Sequence, residues 1–168
     1  MAREYILGTP PNSSVQGAVD CAALFINPSA TAANACGLEM LRAWASQSAN
    51  ATSAQQGIAL RTQVTAFPTV TGATPRKTKF LDPVSLIVSG TSGAAGTCGI
   101  LASVAGAGTK SEVVTDNFNV LNGWLWVPTP RETIVMNAMA ASGFGVYFPV
   151  QPTTLTGWSL GLTFAELG

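Results

Sequence analysis

The chain has 168 residues, enough for one domain with a single sizeable core and no need of metal or disulfide support. Only 10% of the residues are charged, against roughly 25% in an ordinary soluble domain, so the surface must be neutral-polar or covered by partners. Eight Lys and Arg balance eight Asp and Glu, and the chain has no His. The balance argues against nucleic acid, because the one cationic cluster, Arg76, Lys77 and Lys79, is too thin to displace many counterions. The missing His removes the commonest general base and the commonest metal ligand.

In chain order, residues 4–7 and 18–26 read as the first strands, separated by the breaker Pro10-Pro11-Asn12. Residues 1–17 are set aside as a candidate extended N-terminal arm. Asn27-Pro28-Ser29 reads as a turn. Segment 38–45 carries helix formers, and Leu38, Leu41 and Ala45 have helical spacing. Leu38, Met40 and Trp44 also share one strand face. Its eight-residue length and its neighbours favour a strand. Ile58, Leu60, Thr62 and Val64 alternate with Ala59, Arg61 and Gln63, which is the period of a half-buried strand.

Two long loops are expected next. Residues 67–83 hold three prolines and the basic cluster. Residues 90–110 are rich in Gly, Ala, Ser and Thr. Between them, segment 84–90 is β-branched and reads as a strand. Val113, Val114, Phe118 and Val120 fit one or two more. Residues 123–127 form a short aromatic strand with Trp124 and Trp126 on one face. Phe144, Val146 and Phe148 alternate with Gly145 and Tyr147. Trp158, Leu160, Leu162 and Phe164 alternate with small or polar residues. Eight to ten short strands with Gly/Pro turns predict a single all-β domain over residues 1–168, an antiparallel β-sandwich of jelly-roll-like form with long loops.

Searches for chemistry find little. Cys21, Cys36 and Cys98 lack metal-ligand spacing and read as buried thiols, one disulfide plus a free thiol being the alternative. Gly106 to Ser111 approaches a phosphate loop, but Thr109 stands where Gly should be and no earlier Gly lies at the required spacing. Gly90-Thr91-Ser92-Gly93 has the wrong spacing for a Gly-x-Ser-x-Gly elbow, and no His is present to complete a triad. Scattered acids could pair only in three dimensions. Asp116-Asn117-Phe118-Asn119 offers oxygen ligands but reads equally well as a turn. No targeting or membrane-spanning run is expected in residues 18–26, which are short and carry Asp20. The expectation is therefore no enzyme activity, no cofactor and no metal.

Several segments in order resemble small β-rich virion proteins of tailed bacteriophages, of the head-decoration (cement) type. They are Glu39 to Arg42, Thr74-Pro75, Asp116 to Val120, residues 123–130 and the closing stretch 158–168. The resemblance spans most of the chain and contains no catalytic motif. It implies a structural protein on the capsid exterior, made in the host cytoplasm and bound to the major capsid protein as a homotrimer between capsomers. No nucleic-acid or membrane partner is expected. The candidate partner contacts are Arg76, Lys77, Lys79, Trp124 and Trp126, with the N-terminal segment and residues 67–83 facing the shell. The alternative is a carbohydrate-binding module of a head fibre or tail, with Trp124, Trp126 and Asn122 at the sugar.

Overall fold

A computed structural model describes residues 3–17, 20–28, 35–138 and 142–167. Among them are thirteen strands and no helix. They are β1 (Arg3–Gly8), β2 (Cys21–Ile26), β3 (Gly37–Gln47), β4 (Gln55–Val64), β5 (Thr69–Gly72), β6 (Arg76–Lys77), β7 (Val88–Ser89), β8 (Thr97–Val104), β9 (Thr109–Asn119), β10 (Trp124–Trp126), β11 (Ile134–Met136), β12 (Ser142–Phe148) and β13 (Trp158–Leu167). Two sheets face each other. The first has the order β10-β3-β13-β1-β6, with β11 also on the outer edge of β3. The second has the order β5-β8-β2-β12-β4-β9, with β7 also on β8. All pairings are antiparallel except β7 with β8. This is a β-sandwich.

Period-2 patterning drives the burial. Tyr5 and Leu7 of β1, Met40 of β3, Ile58 and Leu60 of β4, Phe144 and Val146 of β12 and Trp158, Leu160, Leu162 and Phe164 of β13 meet between the sheets. The ambiguous segment 38–45 is inside β3. It lies between β13 and the short β10 and β11, so its apolar period is spent on a sheet face. β1 sits between β13 and β6, so residues 3–8 are interior to a sheet and not a free arm. Ala18 and Val19 of the predicted strand 18–26, and Ser29 of the predicted turn, lie outside the described residues.

The outer face of the second sheet is covered by its own chain. A second apolar cluster there joins Cys21, Phe25, Val70, Ala102 and Tyr147, with Phe67 folded over it. This explains why β2 is buried on both faces and reads as an unbroken apolar run. The Phe25 ring lies across Gly143 and Gly145, where added Cβ atoms would fall 2.1 Å and 3.2 Å from it. Val70 occupies the space beside Gly99 in the same way, 2.3 Å from a Cβ there.

Two loop expectations are corrected by this packing. Residues 90–110 are not one loop, because β8 runs through them. Their small residues are what lets Val70 settle on the strand. Segment 84–90 is a strand only at Val88–Ser89. Its earlier amides turn away from the ladder to a carboxylate, described next. Residues 67–83 also contain β5 and β6.

Candidate interaction surface

Residues 65–108, between β4 and β9, build one lateral margin of the sandwich. β5 and β7 lie on β8, and β6 lies on β1. β6 carries Arg76 and Lys77, paired with Ile6 and Tyr5. Thr78 then ties the chain to β1 through its amide and hydroxyl, both donating to the Glu4 carbonyl at 3.1 and 3.0 Å. A four-residue turn follows, closed by the Asp82 amide donating to the Lys79 carbonyl at 3.2 Å. Its two corner residues are Phe80 and Leu81, exposed by 94% and 92%. Turn corners ordinarily carry Gly, Pro, Asn, Asp or Ser. Here two large apolar side chains stand in water with Arg76, Lys77 and Lys79 beside them in sequence, all three exposed. Val84 and Val88 extend the apolar surface, and a groove of about 360 Å³ runs between Pro75, Lys77, Val84 and Ile87.

The base of this margin is fixed from inside. Tyr5 donates its hydroxyl to the Pro83 carbonyl at 3.1 Å. Glu166, at the end of β13, points inward and is only 4% exposed. Its Oε1 accepts from the Ser85 hydroxyl at 2.5 Å and from the amides of Leu86 and Ile87 at 2.8 and 3.3 Å. One carboxylate oxygen therefore organises a strap of three successive residues, the kind of charge-assisted contact that fixes a loop. Burial, reinforced by Glu166, pushes the Tyr5 phenol up and the Cys98 thiol up to about 12.

The outer face of the second sheet holds an ionic cluster. Arg61 of β4 bridges Asp20 and Glu112, the latter at 2.5 Å, and Lys110 reaches Asp20 at 2.7 Å. Asp20 adopts a left-handed backbone conformation, φ 67°, which Asp tolerates better than most residues. Arg61 and Lys110 both lie over the Tyr147 ring, whose hydroxyl donates to Gln63 Oε1 at 2.6 Å. Hydrogen bonds from Arg61 and Thr115 hold the Glu112 carboxyl below its ordinary value. Burial lowers Lys110 and raises Tyr147. Asp20 and Glu112 thus share one guanidinium.

The opposite margin is formed by β9, β10 and β11. Trp124 and Trp126 share the inward face of β10. Trp124 is buried and donates its indole N–H to Asp116 Oδ2 at 3.0 Å, so it offers no free ring face. Trp126 is half-buried and lines an open depression of about 470 Å³ with Val113, Val127, Pro128, Glu132 and Ile134. Asn122 is exposed in the turn after β9, its amide donating to the Asn119 carbonyl. Asp116 and Asn117 lie within β9, not in a ligand loop. Val113, Leu125, Val127 and Val135 are all exposed along this edge. Among the described residues no group of His, Cys, Asp and Glu is arranged to hold a metal ion, and no helix is long and apolar enough to cross a membrane. The three cysteines are buried and no disulfide joins them.

The basic cluster was visible in the sequence, but the Phe80–Leu81 corner was not singled out. Its signal was present: two large apolar residues between Lys79 and Asp82-Pro83, where turn chemistry is expected. Glu166 carried a signal too, since it continues the inward alternation of Leu160, Leu162 and Phe164 and sets an acid at an apolar position. No protein-family model, curated protein or solved structure matches the chain significantly.

Proposed function

We propose that this chain is a structural virion protein, built as a jelly roll, that decorates and stabilises the exterior of a tailed-phage capsid as a homotrimer bridging capsomers. The jelly-roll reading is supported by nested pairing. Of eight principal strands, β1 pairs with β13, β2 with β12, β3 with β10 and β4 with β9. First meets last and second meets second-last, as in a long hairpin rolled into two sheets. Viral capsid and lectin domains use this form.

The observation that carries the assembly role is the Phe80–Leu81 corner. It does nothing for the fold, since both side chains are in solvent, and it sits on a base that Tyr5 and Glu166 hold rigid. An exposed apolar feature on a fixed support is what a binding surface requires. Sparse charge fits a protein that spends its life in contact with copies of itself and with the major capsid protein. Its action is mass-action stabilisation, since a ligand that binds only the assembled shell raises that shell's stability. No cofactor, nucleic acid or membrane enters this reading, and no catalytic step is assigned.

The test is a cryo-EM map of purified virions together with heat-release assays on shells with and without the protein. The reading expects trimeric density outside the shell and a higher disruption temperature. Protein that never joins a particle refutes it. A second reading, a glycan-binding module, is favoured by the Trp126 depression with its Glu132 carboxylate. Glycan-array binding lost in Trp126→Ala would support that reading against the first.

A further inference from the structure

We infer that the Phe80–Leu81 turn of one copy seats in the Trp126 depression of the next, joining copies of this chain head to tail through opposite margins. The inference rests on the self-association part of the reading above and not on the capsid role. The virion reading offers this turn two partners, the shell or a sister copy. Charge and shape on the chain itself favour the sister copy.

The turn margin carries Arg76, Lys77 and Lys79 against Asp82. Since the whole chain is neutral, the remainder holds two more acids than bases. Asp116 and Glu132 lie exposed on the opposite margin with Arg131 as the exposed counter-charge, while Glu112 and Lys110 of β9 are already paired with Arg61 and Asp20. The two margins are the far ends of both sheet orders, β6 with β5 and β7 at one side, β9 with β10 and β11 at the other. An isologous contact, turn margin against turn margin, would set three cations against three cations. Like charges brought together oppose association and opposite ones steer it. The heterologous contact is therefore the one the charges permit.

The shapes agree. Phe80 and Leu81 project as a pair from a rigid corner. The depression, about 470 Å³, is walled by Trp126, Val127, Pro128, Ile134 and Val113, with Glu132 among its lining residues. A ring and an isobutyl group meet aliphatic and aromatic walls, and Lys79 arrives beside Glu132. Among the described residues β9 also has one backbone edge unpaired along Thr109–Asn119, and an exposed edge of that length calls for a cover. Repeating the contact gives a ring where the rotation closes, and the proposed trimer is such a ring.

Sedimentation equilibrium on the purified full chain tests the contact. The wild type is expected as an oligomer that dissociates as salt rises. Phe80→Asp and Val127→Asp change exposed residues, so each should keep the wild-type circular dichroism spectrum yet lose at least tenfold in association. Lys79→Glu should weaken association and Lys79→Glu with Glu132→Lys should restore it. Mixing Phe80→Cys with Val127→Cys should give a disulfide between the two variants. The contact is overturned by a Phe80→Asp variant that sediments like the wild type, or by Phe80→Cys chains that cross-link only to each other. Loss of shell or anionic-vesicle binding in Phe80→Asp with unchanged oligomer mass also overturns it, moving the turn to those partners. A wild type that stays monomeric at every concentration overturns the contact and the proposed self-association together.

Discussion

Replacing Glu166 by Ala removes the acceptor for the Ser85 hydroxyl and for the Leu86 and Ile87 amides at once. The three losses are unequal. The hydroxyl can rotate to another acceptor, and half-buried Leu86 can reach water. Ile87 is 1% exposed, but its amide also donates to the Ser85 hydroxyl oxygen at 3.1 Å and keeps that partner. Three hydrogen bonds lost without a stranded donor cost about 0.5 kcal/mol each, and the small void adds about 0.5 kcal/mol more. The sum is about 2 kcal/mol. With a urea slope of about 2 kcal/mol per molar, the unfolding midpoint should fall by about 1 M. Glu166→Gln keeps an acceptor oxygen and should lose about half as much. Hydrogen exchange separates a local from a global effect: the Leu86 amide should lose protection ahead of the β13 ladder. A midpoint for Glu166→Ala within about 0.3 M of wild type, or unchanged protection at Leu86, would refute the strap as a folding element.

Alkaline pH should destabilise the protein through Cys98. The unfolded thiol loses its proton near its ordinary value of 9, whereas the folded thiol keeps it until about 12. Between those values the unfolded state binds fewer protons, so stability falls as pH rises, by about 2 kcal/mol at pH 10.5. Urea titrations of Cys98→Ser should show a shallower decline above pH 9, and an unchanged slope would contradict the assignment. Gly143→Ala should cost about 1–3 kcal/mol by overpacking, because the Phe25 ring it meets is fully buried. Gly161→Ala meets the Trp44 ring, which is half-buried and stacked under exposed Arg42, so the ring can swing aside. Thermal melts should rank Gly143→Ala below Gly161→Ala, and the latter should shift tryptophan fluorescence to the red. Arg61→Gln should cost about 2 kcal/mol, a buried-pair value discounted because Asp20 and Glu112 are 33% and 53% exposed in their side chains. Chemical denaturation in low and high salt measures that cost, and a variant as stable as wild type in both would count against the cluster.

Strand alternation made β4, β12 and β13 legible, since each has one face between the sheets and the large residues recur every second position. β3 was legible only against its helix formers, because tertiary pairing on both sides overrides a propensity of a few tenths of a kcal/mol per residue. β8 was illegible. Its Gly and Ala residues look like loop material, yet they are small because Val70 lies on them. The strap at 85–87 departs from its local pattern for the opposite reason: a β-branched run suited to a strand is drawn off by Glu166, a partner some eighty residues away. Local pattern carries no trace of such a partner. The same limit applies to the surface. Arg76, Lys77 and Lys79 could be picked out by charge, but whether Trp124 or Trp126 faces solvent depends on Asp116 and on which margin covers which.

Low charge in the sequence suggested a surface covered by partners. Part of that cover is internal. The residues between β4 and β9 fold Phe67 over the cluster that Phe25, Val70, Ala102 and Tyr147 form on the outer face of the second sheet, so part of a face that a bare sandwich would expose is closed by the chain itself. The composition therefore overstates the area left for partners. Among the described residues, most of the exposed large apolar side chains lie on the two lateral margins, and there they are placed differently. Leu125, Val127 and Val135 are spread along short strands, whereas Phe80 and Leu81 project together from one turn. A spread surface and a projecting pair are the two halves of a contact, which is why the margins are better understood as complements than as two independent sites.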